Sequence, residues 1–153
     1  MKLQFAPYVP SPQNVVHRML ELADVSPRDT VYDLGCGDGR ILLSAVNDFG
    51  AQQAIGYELR RDIFHEALAN IRREKVGQKV IVYNDDLMNA NISCATIIIL
   101  YLTLWGNMKL KSKLLNEATT GTRIISHVFP FTNWPITKQE IYCGHLLYVY
   151  VLP

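Results

Sequence analysis

Residues 31–40 read VYDLGCGDGR and contain the pattern that decides the fold. An apolar run that predicts a buried strand over residues 30–34 leads into glycines at three alternate positions, Gly35, Gly37 and Gly39. The apolar residues 41–43 follow and begin a predicted helix. A strand, a glycine turn and a helix in this order are typical of an α/β sheet that presents backbone N–H groups to a ligand. The sequence therefore predicts an α/β protein with a ligand site at this turn.

The spacing of these glycines, G-x-G-x-G, differs from two familiar nucleotide-binding patterns. Dinucleotide-binding proteins carry G-x-G-x-x-G, and P-loop proteins carry G-x-x-x-x-G-K-[ST]. No Lys-Ser or Lys-Thr pair directly follows the turn, so the outer phosphates of a triphosphate would have no ligands there. On the glycines alone, a turn in an unrelated α/β enzyme is an alternative interpretation.

A second acidic residue supports a nucleoside ligand. Glu58 closes the next predicted strand, residues 54–58, roughly 20 residues after the first glycine. A carboxylate at the carboxyl end of the second strand can accept both hydroxyls of a ribose. Together with residues 33–39 (DLGCGDG), Glu58 gives the chain a pattern that resembles motif I and the following acidic residue of class I S-adenosylmethionine (AdoMet)-dependent methyltransferases.

The resemblance implies a set of cofactor contacts. Asp33 and the turn would meet the methionine part of AdoMet, with Asp38 as a partner for its amino group, and Glu58 would bind the ribose. Asp85 or Asp86, of which Asp86 is preferred, would bind the adenine amino group, although an acidic turn without a ligand is an alternative. Two leucines would enclose the adenine ring. The complete set of implied cofactor-binding residues is Tyr8, Val9, Ser11, Asp33, Gly35, Cys36, Gly37, Asp38, Glu58, Leu59, Asp85, Asp86, Leu87 and Leu100.

The order of predicted elements extends the resemblance to the whole chain. Ser11 as N-cap and Pro12 as first helical residue begin a helix that runs to about Ala23. Apolar runs predict strands at residues 30–34, 54–58, 80–83, 95–102 and 122–129, and then a hairpin of residues 136–142 and 145–151. Helices are predicted to end near 49 and to cover 61–75 and 108–115. This is the order of a Rossmann-like three-layer α/β/α sandwich, with a mostly parallel seven-stranded sheet and an antiparallel C-terminal hairpin, in a single domain over residues 1–153.

The end of the fourth strand, residues 99–105 (ILYLTLW), is where the resemblance places the reactive methyl group. The Asn/Asp-Pro-Pro-Tyr/Phe motif of adenine and glutamine methyltransferases is absent, which argues against those substrates. An aromatic collar of Tyr101, Trp105 and Phe129 is expected instead, and desolvation by such a collar lowers the pKa of an amine. Tyr101 and His127 are the candidate catalytic residues, with a buried structural histidine as the alternative for His127.

Three segments narrow the resemblance to one group of enzymes. Residues 8–12 (YVPSP), 31–40 and 121–127 (GTRIISH) resemble the small archaeal protein lysine methyltransferases, whose eukaryotic relatives methylate lysines of mitochondrial proteins. The resemblance implies that the proline-rich segment folds over the cofactor; a simple lead into the first helix is the alternative. Residues 103–109 depart from the pattern of that group.

Composition excludes several other classes. The 15 basic and 14 acidic residues nearly balance, so general attraction to nucleic acid is not expected. Three cysteines, an odd number without metal-ligand spacing, predict free thiols in a reducing cytoplasm and no metal site. Residues 95–102 are too short an apolar run to span a bilayer.

These observations predict an AdoMet-dependent protein-lysine N-methyltransferase with S-adenosyl-L-homocysteine as product. Its partners would be proteins with exposed lysines, because little chain is left over to enclose a small substrate, and its specificity is expected to be broad. The alternatives are a methyltransferase for RNA or a small molecule, and a catalytically idle module that binds a partner.

Overall fold

The computed structural model describes residues 7–153, which form a seven-stranded sheet in the order β3-β2-β1-β4-β5-β7-β6. The strands are β1 (Thr30–Leu34), β2 (Gln53–Tyr57), β3 (Val80–Tyr83), β4 (Ile97–Leu100), β5 (Arg123–His127), β6 (Lys138–Tyr142) and β7 (His145–Val151). The helices are α1 (Gln13–Leu22), α2 (Arg40–Asn47), α3 (Arg61–Glu74) and α4 (Leu104–Glu117), with a 3₁₀ turn at Leu87–Asn89.

The strand directions confirm the predicted fold class. Strands β1 to β5 pair in parallel, and β7 runs antiparallel to both β5 and β6. The turn between β6 and β7 places Cys143 at φ 48° and Gly144 at φ 80°. Positive φ at both central residues is the conformation that suits a two-residue hairpin, as the sequence predicted.

Two apolar clusters separate the three layers. On one face of the sheet, buried residues of α1, α2 and α3 pack against Val31, Ala54 and Ile99. On the other face, α4 and the segments near Ile92 and Trp134 cover the remaining strand residues. Alternate residues of the central strands therefore point into different clusters, and nearly all of β1 and β4 is buried.

Several predicted boundaries were wrong for identifiable reasons. Ser11 does not cap α1: Pro12 occupies the N-cap position, and the Ser11 hydroxyl instead contacts His127. Helix α4 begins four residues earlier than predicted, at Leu104, because the Thr103 side chain accepts a hydrogen bond from the Gly106 amide (3.0 Å) and caps it. The predicted 95–102 strand is consequently shorter, and β5 ends at His127, before Val128 turns to φ 72°.

Among residues 7–153, no helix combines the length and the apolar character that crossing a membrane requires.

Candidate active site

A cavity opens at the carboxyl ends of the parallel strands, where sheets of this topology bind ligands. One wall is the strap, defined here as residues 7–12, which lies beside the glycine turn. The other walls come from the residues that follow β1, β2, β3 and β4. The cavity is lined by strap residues and by Asp33, Gly35, Cys36, Gly37, Asp38, Arg40, Ile41, Tyr57, Glu58, Leu59, Arg60, Asp85, Asp86, Leu87, Tyr101 and Leu102.

Most backbone amides of the glycine turn are hydrogen-bonded within the protein. The amides of Gly35 and Cys36 both donate to the carbonyl of Tyr57 (2.9 and 3.0 Å), and the Gly39 amide donates to Cys36. These three amides are therefore engaged within the protein, contrary to the expectation that the turn presents them to a ligand, although Gly35, Cys36 and Gly37 line the cavity. A Cβ on Gly37 (φ +56°) would lie 2.7 Å from the Tyr8 ring, so glycine is needed for the strap to approach.

Cys36 is a packing residue within this turn. Its Sγ would lie 2.6 Å from a Cβ placed on Gly56, so the thiol fills the space that this glycine of β2 leaves. Burial raises the pKa of the Cys36 thiol well above its ordinary value, with the nearby Asp33 and Glu58 acting in the same direction. A thiol held protonated in this way is a poor nucleophile.

Glu58 lines the cavity and is 8% exposed. Its Oε1 accepts a hydrogen bond from the Gly37 amide (3.1 Å), and its Oε2 accepts one from the Arg60 amide (2.7 Å). Each carboxylate oxygen can accept a further hydrogen bond. The two backbone amides thus orient a group that is able to bind two neighbouring hydroxyls.

Asp85 and Asp86, which follow β3, hold the local backbone and also line the cavity. Asp86 Oδ1 accepts from the Met88 amide (2.9 Å) and caps the 3₁₀ turn. Asp85 Oδ1 accepts from the Asp86 amide (2.7 Å) and from Asn89 (2.9 Å). Both residues line the cavity beside Leu87, so capping and ligand contact are compatible here.

The buried carboxyl groups make the cavity suited to a cation. Asp33 is 3% exposed, and burial together with the charges of Glu58 and Asp38 raises its pKa to about 8. Burial also opposes ionisation of Asp38, but hydrogen bonds from Arg40 outweigh it and bring the pKa of Asp38 below its usual value. A positively charged ligand would relieve the repulsion among these groups.

The strap is held to the rest of the cavity by side chains from two other elements. Arg40 donates from Nη1 to the Ser11 carbonyl (3.0 Å) while its Nη2 contacts Asp38 (2.7 Å). On the other side, Ser11 Oγ lies 3.0 Å from His127 Nδ1. The Tyr101 ring lies on His127, with ring centroids 4.0 Å apart, and its other side borders the cavity.

Most of the residues implied by the resemblance meet at this cavity. They are Tyr8, Val9, Ser11, Asp33, Gly35, Cys36, Gly37, Asp38, Glu58, Leu59, Asp85, Asp86, Leu87 and Tyr101. The cavity is also lined by residues that the sequence did not predict, Arg40, Ile41, Tyr57, Arg60 and Leu102, although Arg40 directly follows the third glycine and is well placed to pair with a turn carboxylate.

Leu100 and His127 are not on the cavity wall. Leu100 is fully buried, and its side chain packs in the cluster covered by α4, because alternate residues of β4 point to opposite faces. His127 is also fully buried, behind the Tyr101 ring. Burial and the neighbouring His145 lower the pKa of His127 to about 4, so it is neutral at neutral pH.

The expected aromatic collar is reduced to Tyr101. Trp105 lies on the first turn of α4, is 45% exposed and has the Lys109 ammonium 3.8 Å from its ring centroid. Neither Trp105 nor Phe129 lines the cavity. The apolar surface beside Tyr101 comes instead from Leu102, whose Cδ2 would be 3.5 Å from a Cβ on Gly35.

Comparisons with known proteins match this chain over most of its length. Residues 33–138 match the family model of the ANTKMT methyltransferase domain. A protein-lysine N-methyltransferase of Saccharolobus islandicus is 41% identical over 150 residues, which are 95% of this chain and 93% of that protein. An adenine nucleotide translocase lysine N-methyltransferase of Mus musculus is 31% identical over 134 residues, covering 88% of this chain but 57% of the longer relative.

A solved structure is similar over the same extent. The crystal structure of an RNA methyltransferase from Salinibacter ruber, in complex with S-adenosyl-L-homocysteine, superposes with a TM-score of 0.92. It is 39% identical in sequence, and the alignment covers 95% of this chain and 94% of that one.

Proposed function

Because the chain belongs to the ANTKMT methyltransferase domain family, we propose that it transfers the methyl group of AdoMet to lysine ε-amines of protein substrates. The observation that carries the proposal is the 41% identity to a protein-lysine N-methyltransferase, which extends over nearly the full length of both chains. The cavity supports it, since its charges and acceptors suit a cationic nucleoside.

The residues of the cavity fit AdoMet. Glu58, held by two backbone amides, offers two oxygens to the ribose hydroxyls. Asp38 and Asp33 both line the cavity; Asp38 favours its charged form, and Asp33 can lose its proton to complement the ammonium or sulfonium charge when AdoMet binds. Leu59 and Leu87 provide apolar surface for the adenine, beside Asp86 for its amino group. AdoMet supplies a methyl group already activated by its sulfonium, so the protein contributes alignment and desolvation.

The lysine amine must be neutral and aligned with the methyl group of AdoMet before it can attack. A lysine ammonium has a pKa of about 10.4 in water, and transfer to a water-poor surface lowers that pKa because the charged form loses hydration. Tyr101 and Leu102 form such a surface at the end of β4. Tyr101 is therefore the candidate residue for contact with the amine, whereas His127 lies behind it and is too buried to touch the substrate.

RNA is the second candidate substrate, because the similar Salinibacter ruber protein is described as an RNA methyltransferase. Against it, the net charge of +1 provides little general attraction to a polyanion. Labelled AdoMet, incubated with the enzyme and a cell extract, tests the two directly. We expect label that protease releases and nuclease does not; the reverse sensitivity would replace the lysine proposal with RNA methylation.

Two variants test whether the methyl transfer takes place in this cavity. Glu58→Ala removes the ribose acceptor, whereas Glu74→Ala removes an exposed carboxylate at the end of α3. We expect the first variant to lose incorporation and the second to retain it. Equal incorporation by both would mean that the labelling does not arise at this site.

A further inference from the structure

A hydrogen-bonded chain of three side chains runs from the cavity to the protein surface. Ser11 of the strap lines the cavity, and its Oγ lies 3.0 Å from His127 Nδ1. His127 Nε2 lies 2.8 Å from His145 Nδ1. His127 is fully buried at the end of β5, and His145 is half-buried at the start of β7.

The sheet order places Ser11 at the amino-acid end of the proposed cofactor. Asp86 follows β3 and Glu58 follows β2, so the adenine and ribose subsites lie on that side of β1. His127 ends β5, which lies on the other side of β1 beyond β4. Ser11, bound to His127, therefore faces the methionine part. That part carries a carboxylate, which needs hydrogen-bond donors. Beside the strap the cavity offers the Arg40 guanidinium, which is already bound to Asp38 and to the Ser11 carbonyl, and the Ser11 hydroxyl.

The chain of hydrogen bonds has two possible directions, since a neutral histidine has one donor and one acceptor nitrogen. In one direction Ser11 donates to His127, and only its lone pairs face the cavity. In the other, His145 donates to His127, His127 Nδ1–H donates to Ser11, and the Ser11 proton is free to point into the cavity. The second direction turns the positive ends of the dipoles toward the cavity and Glu58, whose negative charge favours it; Asp38 contributes less, because Arg40 lies 2.7 Å from its carboxylate.

We propose that His127 and His145 are positioning residues that direct the proton of the Ser11 hydroxyl into the cavity, where it donates to the carboxylate of AdoMet. This inference rests on the proposed function and assigns a role to His145, which does not touch the cavity. It also explains why no side chain caps the N-terminus of α1: the Ser11 hydroxyl, which could do so, is hydrogen-bonded to His127 instead.

Binding of two ligands, one with and one without the carboxylate, distinguishes a role of His145 in orienting the Ser11 hydroxyl from a general role in stabilising the fold. S-Adenosyl-L-homocysteine carries the carboxylate, and 5′-methylthioadenosine lacks the entire amino-acid end beyond the thioether. For the folded His145→Phe and Ser11→Ala variants, calorimetry should show binding of the first ligand weakened about tenfold, as expected for a lost hydrogen bond to a charged group, with the second unchanged. His145→Asn, whose amide can donate to His127, should restore most of the affinity. His65→Phe, at an exposed position of α3, is the matched control.

The double variant Ser11→Ala/His145→Phe should bind S-adenosyl-L-homocysteine no more weakly than Ser11→Ala alone, because both changes remove the same hydrogen bond. Equal losses for the two ligands, or no loss for either, would overturn the inference while leaving the proposed function intact. Failure of the parent protein to bind S-adenosyl-L-homocysteine would overturn the proposed function, and this inference with it.

Discussion

Asp33 should make the protein less stable as the pH rises, because the folded state resists its ionisation. Its pKa is about 8 in the folded chain, raised from 3.8 by burial and by the charges of Glu58 and Asp38. The native state thus binds more protons than the unfolded state between these values, and the free energy of unfolding falls with increasing pH in that window. Replacing Asp33 by Asn keeps the shape and removes the ionisation.

The size of the effect follows from the pKa values. One pKa unit corresponds to about 1.4 kcal/mol, so from about pH 6.5 to about pH 8 the Asp33 carboxyl should reduce the free energy of unfolding by roughly 1.6 kcal/mol. His127 acts in the opposite sense: its pKa is lowered from 6.5 to about 4, so protonation of the unfolded state destabilises the folded protein mainly below pH 6.5. What remains of the His127 effect above pH 6.5 is the same in the parent and in Asp33→Asn, so the difference between these two proteins isolates Asp33.

Urea unfolding of the parent and of Asp33→Asn at both ends of this window measures the effect. The parent should lose about 1–2 kcal/mol more than the variant, and the variant should be the more stable protein at about pH 8. Asp24→Asn, at an exposed position, is the control and should follow the parent. Parallel pH dependences for the parent and Asp33→Asn would refute the conclusion that Asp33 is held protonated by its surroundings.

Three further predictions concern the same cavity. Glu58→Ala should weaken AdoMet binding at least tenfold in calorimetry, about the value of one charged hydrogen bond, and should lower the unfolding temperature because the Gly37 and Arg60 amides lose their acceptor; unchanged affinity in the folded variant would remove Glu58 from the site. Gly37→Ala should cost roughly 1–2 kcal/mol of stability and weaken AdoMet binding, because the new Cβ would meet the Tyr8 ring, whereas Gly77→Ala, with open space around it, should do neither. AdoMet binding near pH 7 should release a proton from Asp33, seen as a binding enthalpy that changes with the ionisation enthalpy of the buffer; identical enthalpies in two buffers would contradict this.

The part of the site that depends on local sequence could be predicted from residues alone. The glycine turn, Glu58 and the Asp85–Asp86 pair each follow a strand that its apolar run identifies. Because the carboxyl ends of parallel strands meet at one edge of the sheet, strand order was enough to bring these groups together. The hairpin at Cys143 and Gly144 was equally local, since turn chemistry determines it.

The parts that depend on distant contacts could not be predicted in this way. Ser11 has the sequence context of a helix cap, but its hydroxyl contacts His127, 116 residues away. The amides of Gly35 and Cys36 donate to the carbonyl of Tyr57, a residue of the neighbouring strand. The direction of Trp105 was misjudged because the Thr103 cap begins α4 earlier and turns that ring away from the cavity. The cap itself is predictable from the sequence, since threonine is a common N-cap residue and Thr103 directly precedes α4.

The central claim is that this cavity delivers the methyl group of AdoMet to a lysine amine. Its most direct test is mass spectrometry of fully hydrolysed material after incubation of the enzyme and a cell extract with AdoMet that carries a deuterated methyl group. The account predicts deuterated N-methyl-lysine, and no such product with Glu58→Ala. Deuterium found only in nucleosides or small metabolites, with AdoMet binding intact, would contradict it.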